Sequence, residues 1–318
     1  MNRYARQMAL PEVGAQGQAR LARAHALVVG AGGLGAPALL YLAGAGVGRI
    51  TLLDGDAVAA SNLHRQPLYR MDQIGRPKAQ AAADALMALN PQTRIDARAE
   101  WLDPANAPDL AAQADVVLDC ADTFAASLTL SDACRALGKP LIAGSALALA
   151  GYAAGCCAGA PSLRALFPEL PERGATCAEA GVMGPVPGVI GALQAQMALS
   201  VLLGLAPSPL GRLLHFDARG WRMGGFRFDA APEPDAPPPF IARSQIAPKD
   251  LLIDLRAEAP APFDPRARRI PPDAIADLSP PDGARVVLAC RTGLRAHNAG
   301  QRLRARWPGR IALLALPD

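Results

Sequence analysis

The sequence predicts an α/β protein in which a doubly wound, mostly parallel sheet is followed by a second, smaller α/β domain. In the first half, short apolar runs alternate with alanine-rich stretches, as strands and helices alternate in parallel βαβ units. A proline-rich segment then precedes a shorter, arginine-rich part with apolar runs of its own. At 318 residues the chain exceeds one typical domain, which also favours two.

The apolar runs of the first half predict five strands, at residues 26–29, 50–53, 95–99, 116–118 and 140–143. The turn Gly30-Ala31-Gly32-Gly33-Leu34-Gly35 follows the first strand and opens a helix that runs to about residue 45. Its glycines allow a tight strand-to-helix turn and a close approach of the backbone to phosphate. The pattern is typical of a Rossmann-like sheet, whose ligand lies beyond the carboxyl ends of the strands.

The prolines of residues 229–239 lack the backbone donor and fix φ, so this segment is expected to form neither a helix nor a central strand. We interpret it as a semi-rigid linker between a domain over 1–228 and a domain over 240–318. In the second domain we expect strands at 251–255 and 286–289 and a helix over about 294–306.

The composition favours a soluble globular protein. A net charge of +4 is too mild to indicate nucleic-acid binding. We interpret Arg302, Arg304 and Arg306 as a solvated helix face, with docking of an acidic carrier protein as the alternative. The six cysteines show no compact disulfide spacing and no signal peptide is recognisable, so we expect a cytoplasmic protein. The uncharged stretch between Glu179 and Arg212 could span a bilayer, but its prolines and glutamines favour a buried helix over 189–203 and no membrane contact.

Charged residues follow the glycine turn. Asp54 lies nineteen positions after Gly35, where an acidic residue usually holds the ribose of a nucleotide. A hydride-transfer cofactor does not need Arg65 and Lys78, whereas adenylyl transfer does, because negative charge grows on the α-phosphate and on the departing pyrophosphate. ATP is therefore the favoured nucleotide and NAD the alternative. Taken singly, either cation could be a solvated surface charge, and Asp119 could simply end a strand.

The first 228 residues carry several ordered motifs. They are Arg3-Tyr4-Ala5-Arg6-Gln7, the glycine turn, Leu52-Leu53-Asp54, Ser61-Asn62-Leu63-His64-Arg65-Gln66, Gly75-Arg76-Pro77-Lys78, Asp119-Cys120-Ala121-Asp122 and Thr176-Cys177-Ala178-Glu179-Ala180-Gly181-Val182. With them this part resembles the MoeB/ThiF/HesA family, bacterial relatives of ubiquitin-activating enzymes. The resemblance implies that MgATP adenylates the C-terminal glycine carboxylate of a small ubiquitin-like sulfur-carrier protein and that pyrophosphate is released.

The resemblance also implies a role for each matching residue. Asp54 would hold the ribose, Asp122 would bind magnesium, and Arg6 would reach the site of a partner subunit in a homodimer. The other cofactor-binding positions are Gly30, Gly32, Gly33, Gly35, Asn62, Arg65, Gln66 and Lys78, and the catalytic ones are Arg65, Lys78 and Asp122. Cys177 aligns with a cysteine that becomes linked to the carrier in some relatives, and an inert loop thiol is the alternative.

Two departures from the family pattern matter. Many members carry two Cys-x-x-Cys pairs that bind zinc, but Ser162 and Ala165 occupy the positions of the first pair here. The second pair is absent too, and since structural zinc needs four ligands, we predict no zinc. Thr123 and Ser127 stand where Asn and Arg are usual, which leaves open a divergent carrier or an ATP-dependent activator of a non-carrier substrate.

In the second domain, Cys290 stands between a predicted strand and a predicted helix, where backbone N–H groups stabilise a thiolate or persulfide. The supporting motifs are Leu252-Ile253-Asp254-Leu255-Arg256, Val286-Val287-Leu288-Ala289 and Cys290-Arg291-Thr292-Gly293-Leu294-Arg295. They resemble a rhodanese domain, although 268–271 lacks the histidine of that family. The resemblance implies a sulfur-carrying cysteine; the alternative is a free cysteine that ends a buried strand.

Together these features predict a sulfur-carrier adenylyltransferase fused to a sulfur-donor domain. An upstream protein such as a cysteine desulfurase would supply the sulfur to that domain. Thiamine, molybdopterin and related pathways share this activation chemistry. A non-catalytic scaffold that binds a carrier and an NAD-dependent oxidoreductase are the alternatives from other classes.

Overall fold

The computed structural model describes residues 2–172, 180–256 and 258–316. Its strands are β1 His25–Val29, β2 Arg49–Leu53, β3 Arg94–Arg98, β4 Val116–Asp119, β5 Leu141–Leu147, β6 Ala150–Cys156, β7 Arg212–Asp217, β8 Arg222–Arg227, β9 Leu251–Asp254, β10 Arg268–Arg269, β11 Arg285–Cys290 and β12 Arg310–Ala315. Its α-helices are α1 Ala5–Met8, α2 Gly14–Arg23, α3 Gly35–Ala45, α4 Lys78–Leu89, α5 Ala107–Gln113, α6 Phe124–Leu137, α7 Leu163–Leu166, α8 Pro185–Leu203 and α9 Leu294–Arg304.

The larger sheet has the strand order β3-β2-β1-β4-β5-β6-β7-β8. Its first five strands run parallel, whereas β6, β7 and β8 add antiparallel pairs at one side. All five residues of β1 are buried, as expected for a strand covered on both faces. Because β1 pairs with both β2 and β4, the strand order reverses beside it, and the glycine turn lies at this switch point.

Helix α8 is long and apolar enough to cross a membrane by length and composition, but half of its apolar window is buried within the protein. It packs against α3 and against β5 and β6. Gln194 in its centre donates to the carbonyl oxygens of Asp119 at 2.7 Å and Ile142 at 3.2 Å. These contacts satisfy a buried amide, which agrees with the predicted core helix.

The second sheet is parallel throughout, with the order β10-β9-β11-β12, and confirms a second, smaller α/β unit. One continuous apolar cluster joins it to the larger sheet and includes Leu27 and Leu128 as well as Ile253 and Leu288. The proline-rich segment packs on the domain of the larger sheet: Glu233 contacts Ser162, and Pro238 is buried near Arg164. The two units are therefore packed on each other in this structure.

The five strands predicted for the first half are all present, with ends shifted by one residue or more. The fifth extends to Leu147 and turns back into β6, which the sequence pattern did not indicate. The segments that form β6 and β8 contain two glycines each and no β-branched residue, so they lack the usual strand signal. Helix α9 ends at Arg304, two residues before the predicted end.

Candidate functional site

The glycine turn joins β1 to α3. Gly30 has a φ of +93°, and a Cβ built on it would lie 2.5 Å from the carbonyl oxygen of Cys120. A Cβ on Gly35 would lie 1.9 Å from the carbonyl oxygen of Gly30, so glycine is required at both positions. Gly32 and Gly33 between them are only half-buried. The turn thus leaves backbone open at the amino terminus of a helix, where an anion is stabilised.

Asp54 follows β2 and faces this turn. Its carboxylate accepts hydrogen bonds from the backbone N–H of Ala31 at 2.7 Å and of Asp56 at 2.8 Å. Burial raises the pKa of Asp54, and the positive charge of Lys78 opposes that rise. The carboxylate predicted to hold the ribose therefore lies directly beside the turn, as the spacing indicated.

Lys78 begins α4 on the same side of the sheet. Its Nζ lies 2.7 Å from Oδ2 of Asp56, and its side chain is 6% exposed whereas that of Asp56 is 51% exposed. The Lys78 ammonium group is thus buried, whereas the carboxylate that pairs with it is exposed to solvent and can be displaced. An incoming phosphate would have to exchange with this carboxylate.

Tyr69 is a site residue that the sequence analysis missed. Its hydroxyl, on a side chain that is buried, donates to the carbonyl oxygen of Ala31 at 2.8 Å and lies 3.5 Å from the carbonyl oxygen of Lys78. Together with the Ala31–Asp54, Asp54–Asp56 and Asp56–Lys78 contacts, these bonds form a closed ring that includes Ala31 of the glycine turn. Nothing in the local pattern marks Tyr69, because its role depends on a contact between distant parts of the chain.

The segment that carries Asn62 and Arg65 lies against the turn as well. Asn62 ends a short 3₁₀ turn and is half-buried. Nη1 of Arg65 lies 3.1 Å from the carbonyl oxygen of Ser61 and 2.8 Å from Nε2 of His64, while the carbonyl oxygen of Arg65 is 3.6 Å from a Cβ built on Gly33. The structure therefore brings this segment to the turn, as predicted.

Gln66 is 3% exposed beneath the turn, and its Nε2 lies 3.5 Å from a Cβ built on Gly32. Its Oε1 is buried and has no hydrogen-bond partner in the described part of the chain. A buried acceptor without a partner costs about 1–3 kcal/mol.

The two aspartates after β4 differ in environment. Asp119 is 1% exposed and accepts hydrogen bonds from the backbone N–H of Ala121 at 3.1 Å and from the hydroxyl of Ser127. Burial raises the pKa of Asp119 to about 6. Asp122 is exposed, so it is the carboxylate available to a ligand, while Thr123 caps α6 by accepting from a backbone N–H.

Contacts with this cluster are not seen for the other predicted features in the described part of the chain. Arg6 is exposed on α1, and Cys177 lies outside the described residues. Among the residues that the structure describes, no group of three or more His, Cys, Asp or Glu side chains could hold a metal ion. The assignment of magnesium to Asp122 therefore stays a prediction.

A hydrogen-bonded cap occupies the position where zinc-binding relatives carry their first cysteine pair. Ser162 caps α7 by accepting from the N–H of Ala165 at 3.2 Å. The Ser162 hydroxyl and its backbone N–H also donate to the carboxylate of Glu233, at 2.6 and 2.7 Å. These bonds attach the proline-rich segment to the first sheet's domain.

Cys290 ends β11 and is 1% exposed. Its Sγ accepts from the N–H of Ala296 at 3.4 Å, and Gly293 in the following turn has a φ of +87°. Burial raises the pKa of Cys290, although backbone N–H groups of the turn and the nearby Arg295 act to lower it. The expected backbone cradle is present, but in this arrangement the cysteine is a sheltered, neutral thiol.

Residues 4–237 match the sequence model of the ThiF family, so the second sheet lies beyond the matched part. The chain is similar to the sulfur carrier protein adenylyltransferase of Thermus thermophilus, at 46% identity over 69% of this chain and 83% of that protein. It is also 42% identical to the SAMP-activating enzyme E1 of Haloferax volcanii, over 69% of this chain and 82% of the other.

Longer relatives match over a smaller share of their length. The adenylyltransferase and sulfurtransferase MOCS3 of Bos taurus is 48% identical over 69% of this chain but only 49% of that protein. The chain thus spans about half the length of this relative. Among solved structures, E. coli MccB with ATP superposes with a TM-score of 0.63 at 21% identity, covering 72% of each chain, which supports the fold.

Proposed function

Because the chain belongs to the ThiF family, we propose that it transfers AMP from ATP to the C-terminal glycine carboxylate of a ubiquitin-like sulfur-carrier protein. Sulfur then replaces AMP and yields a thiocarboxylate. The observation that carries the proposal is the convergence of the glycine turn, Asp54, Lys78 and Asp122 at one edge of the sheet. The names of the most similar relatives support the same chemistry.

In the first step the carrier carboxylate attacks the α-phosphorus of ATP. A P–O bond forms to the carboxylate oxygen while the bond to the bridging oxygen breaks, and pyrophosphate leaves. Lys78 and Arg65 would neutralise the charge that grows on the phosphates, once Lys78 has exchanged Asp56 for phosphate. Asp54 would hold the ribose beside the turn. Magnesium, held by Asp122, would disperse further phosphate charge.

In the second step a persulfide on Cys290 would attack the acyl carbon of the carrier adenylate, and AMP would leave. The product is an acyl disulfide between the carrier and Cys290. A second thiol then attacks the Cys290 sulfur and releases the thiocarboxylate, which leaves a disulfide on Cys290 for a further thiol to reduce. A cysteine desulfurase or a similar persulfide donor would supply the terminal sulfur.

We also propose a cytoplasmic homodimer in which Arg6 of each subunit serves the site of the other. Its support is the exposed position of Arg6 on α1 and the resemblance of the first helix to the family motif. The identity of the carrier would also assign the chain to the thiamine, molybdopterin or a related pathway, and the exchange assay below can identify it.

The test is ATP–pyrophosphate exchange with a panel of small ubiquitin-like carriers. We expect carrier-dependent exchange with at least one of them, and its loss when the terminal glycine of that carrier is removed. Exchange with none of the carriers would contradict the proposal. Carrier capture from lysate would then distinguish the alternative, an activator of a non-carrier substrate.

That alternative is weakened by the local roles of Thr123 and Ser127, which stand where the family usually has Asn and Arg. Thr123 caps α6, and Ser127 supports Asp119, so both substitutions serve the fold around the site. A scaffold without sulfur chemistry is tested separately: sulfur transfer from thiosulfate to cyanide, abolished in Cys290→Ser, would exclude it.

A further inference from the structure

The turn that follows Cys290 lies against the first turn of α6. The N–H of Ala125 donates to the carbonyl oxygen of Thr292 at 3.3 Å. A Cβ built on Gly293 would lie 2.8 Å from Cβ of Ala125, so the backbone of this turn is in close contact with the first domain; the ring of Phe240, in the second domain, lies equally close. The N–H groups in the first turn of a helix lack partners within the helix, and here the second domain satisfies one of them.

Further contacts fix this arrangement away from the turn. Asn298 on α9 donates to the carbonyl oxygen of Pro171 at 2.9 Å. Nε of Arg164 on α7 lies 2.7 Å from Asp132 of α6, and Nη2 of the same guanidinium lies 3.5 Å from the carbonyl oxygen of Pro238, so these bonds attach the proline-rich segment to the first domain. The Asn298–Pro171 hydrogen bond and the shared apolar cluster join the second domain directly to the first.

The docked turn lies close to the proposed adenylation site, because α6 begins at Phe124, two residues after Asp122. Consecutive Cα atoms are about 3.8 Å apart, so the path through the Ala125–Thr292 hydrogen bond places the Cα atoms of Asp122 and Cys290 no more than about 26 Å apart. An extended chain spans about 3.3 Å per residue, so about eight residues of a carrier tail would cover this limit. The tail can cover that distance without a large movement of either domain.

We propose that sulfur is delivered in cis: the Cys290 turn of each chain serves the adenylation site of the same chain, with Ala125 and Gly293 as the positioning contact. This inference rests on the proposed function. Since Cys290 is 1% exposed, the turn must open to admit the tail, and the contact with Ala125 is where it meets the first domain. Docking within one chain keeps the effective concentration of the two sites high.

The test uses two-tag complexes of paired chains, assayed for carrier thiocarboxylate by mass spectrometry with ATP, thiosulfate and a small thiol that releases the product and reduces the disulfide on Cys290. One complex combines a Lys78→Ala chain with a Cys290→Ser chain. Its matched control combines a wild-type chain with the Lys78→Ala, Cys290→Ser double variant, so both complexes carry the same two substitutions.

Delivery in cis predicts about half of the wild-type yield from the control complex and less than about 5% from the complex of single variants. Delivery between chains predicts the reverse and would overturn the proposal. If the tagged chains do not copurify, the same two mixtures are compared at micromolar concentration, where product from the single variants again contradicts delivery in cis.

Two half-reactions separate this outcome from a failure of the proposed function. The Cys290→Ser chain must retain pyrophosphate exchange, and the Lys78→Ala chain must retain sulfur transfer to cyanide. If the wild-type chain itself shows no pyrophosphate exchange, or no sulfur transfer to cyanide, the proposed function is wrong. With both present, the yields of the paired complexes report only which chain supplies the sulfur.

Discussion

The glycine turn of the first sheet and the Cys290 turn of the second sheet use the same local design with opposite exposure. Each follows a buried parallel strand, contains a glycine with a φ near +90° and leads into a helix, at Gly30 and at Gly293. Yet Gly32 and Gly33 of the first turn are half-buried and open, whereas Gly293 is buried beneath Ala125 and Phe240. A strand–turn–helix unit therefore creates an anion cradle, but the neighbouring domain decides whether a ligand can reach it.

Charge follows the same division. The Lys78–Asp56 ion pair lies beside the open turn, and Asp122 follows the neighbouring strand; Asp56 and Asp122 are both exposed to solvent. The closed turn keeps Cys290 neutral, because burial raises its pKa more than the backbone N–H groups lower it. In the proposed function, the first site would receive the phosphates of ATP and the second would shelter a sulfur on Cys290 until the turn opens.

The largest expected effect tests whether the Lys78 ammonium group beside the open turn is needed for ATP–pyrophosphate exchange. Lys78→Ala should reduce ATP–pyrophosphate exchange by at least about 100-fold, because removing one preorganised donor to developing charge typically costs this much. Arg70→Ala, which removes an exposed guanidinium paired with Asp72, is the control and should change exchange by less than about twofold. Equal effects of the two substitutions would contradict the assigned role of Lys78.

The next effect separates the closed end of the glycine turn from its open middle. Gly35→Ala places a Cβ 1.9 Å from a backbone oxygen and should lower the free energy of unfolding by about 3 kcal/mol. Gly32→Ala meets only the end of a flexible side chain at 3.5 Å and should cost about 1 kcal/mol or less. Urea unfolding measures both. A similar loss in the two variants would show that the turn is closed along its whole length.

A smaller effect concerns the closure over Cys290. Ala125→Leu adds bulk where the Gly293 backbone is in contact and should speed the alkylation of Cys290 by iodoacetamide about tenfold, equivalent to about 1.4 kcal/mol in the opening of the turn. Ala126→Leu, on the same helix turn but half-buried, serves as the control. Mass spectrometry of the Cys290 peptide follows the reaction. An unchanged rate in Ala125→Leu would mean that α6 does not shelter the thiol.

The smallest effect concerns how the open turn keeps its shape. Tyr69→Phe removes the 2.8 Å hydrogen bond to Ala31, worth about 1 kcal/mol, and should raise the KM for ATP about fivefold with little change in kcat. Thr51→Val removes another buried hydroxyl, which lies 2.9 Å from Nε2 of His25 on the same sheet, and should leave KM unchanged. If both variants alter KM alike, Tyr69 acts through general stability and not by positioning the turn.

The sequence by itself determined the parallel sheet, the two strand–turn–helix units and the order of Asp54, Lys78 and Asp122 along the chain. These features follow from neighbouring residues, since hydrophobic periodicity sets strands and helices and a tight turn with positive φ requires glycine. The resemblance to known families rested on the same local motifs. The antiparallel strands escaped this reasoning because glycine-rich β6 and β8 lack a local strand signal.

Only the tertiary structure decided which of these residues are exposed and what they touch. It placed the Tyr69 hydroxyl on Ala31, buried Asp119 while leaving Asp122 in solvent, and set α6 over the turn after Cys290. Each of these outcomes depends on how helices and sheets pack across long sequence separations. Local propensity carries no information about such contacts. Which polar groups are buried, and the free energy that their burial costs, are set only when the core is assembled.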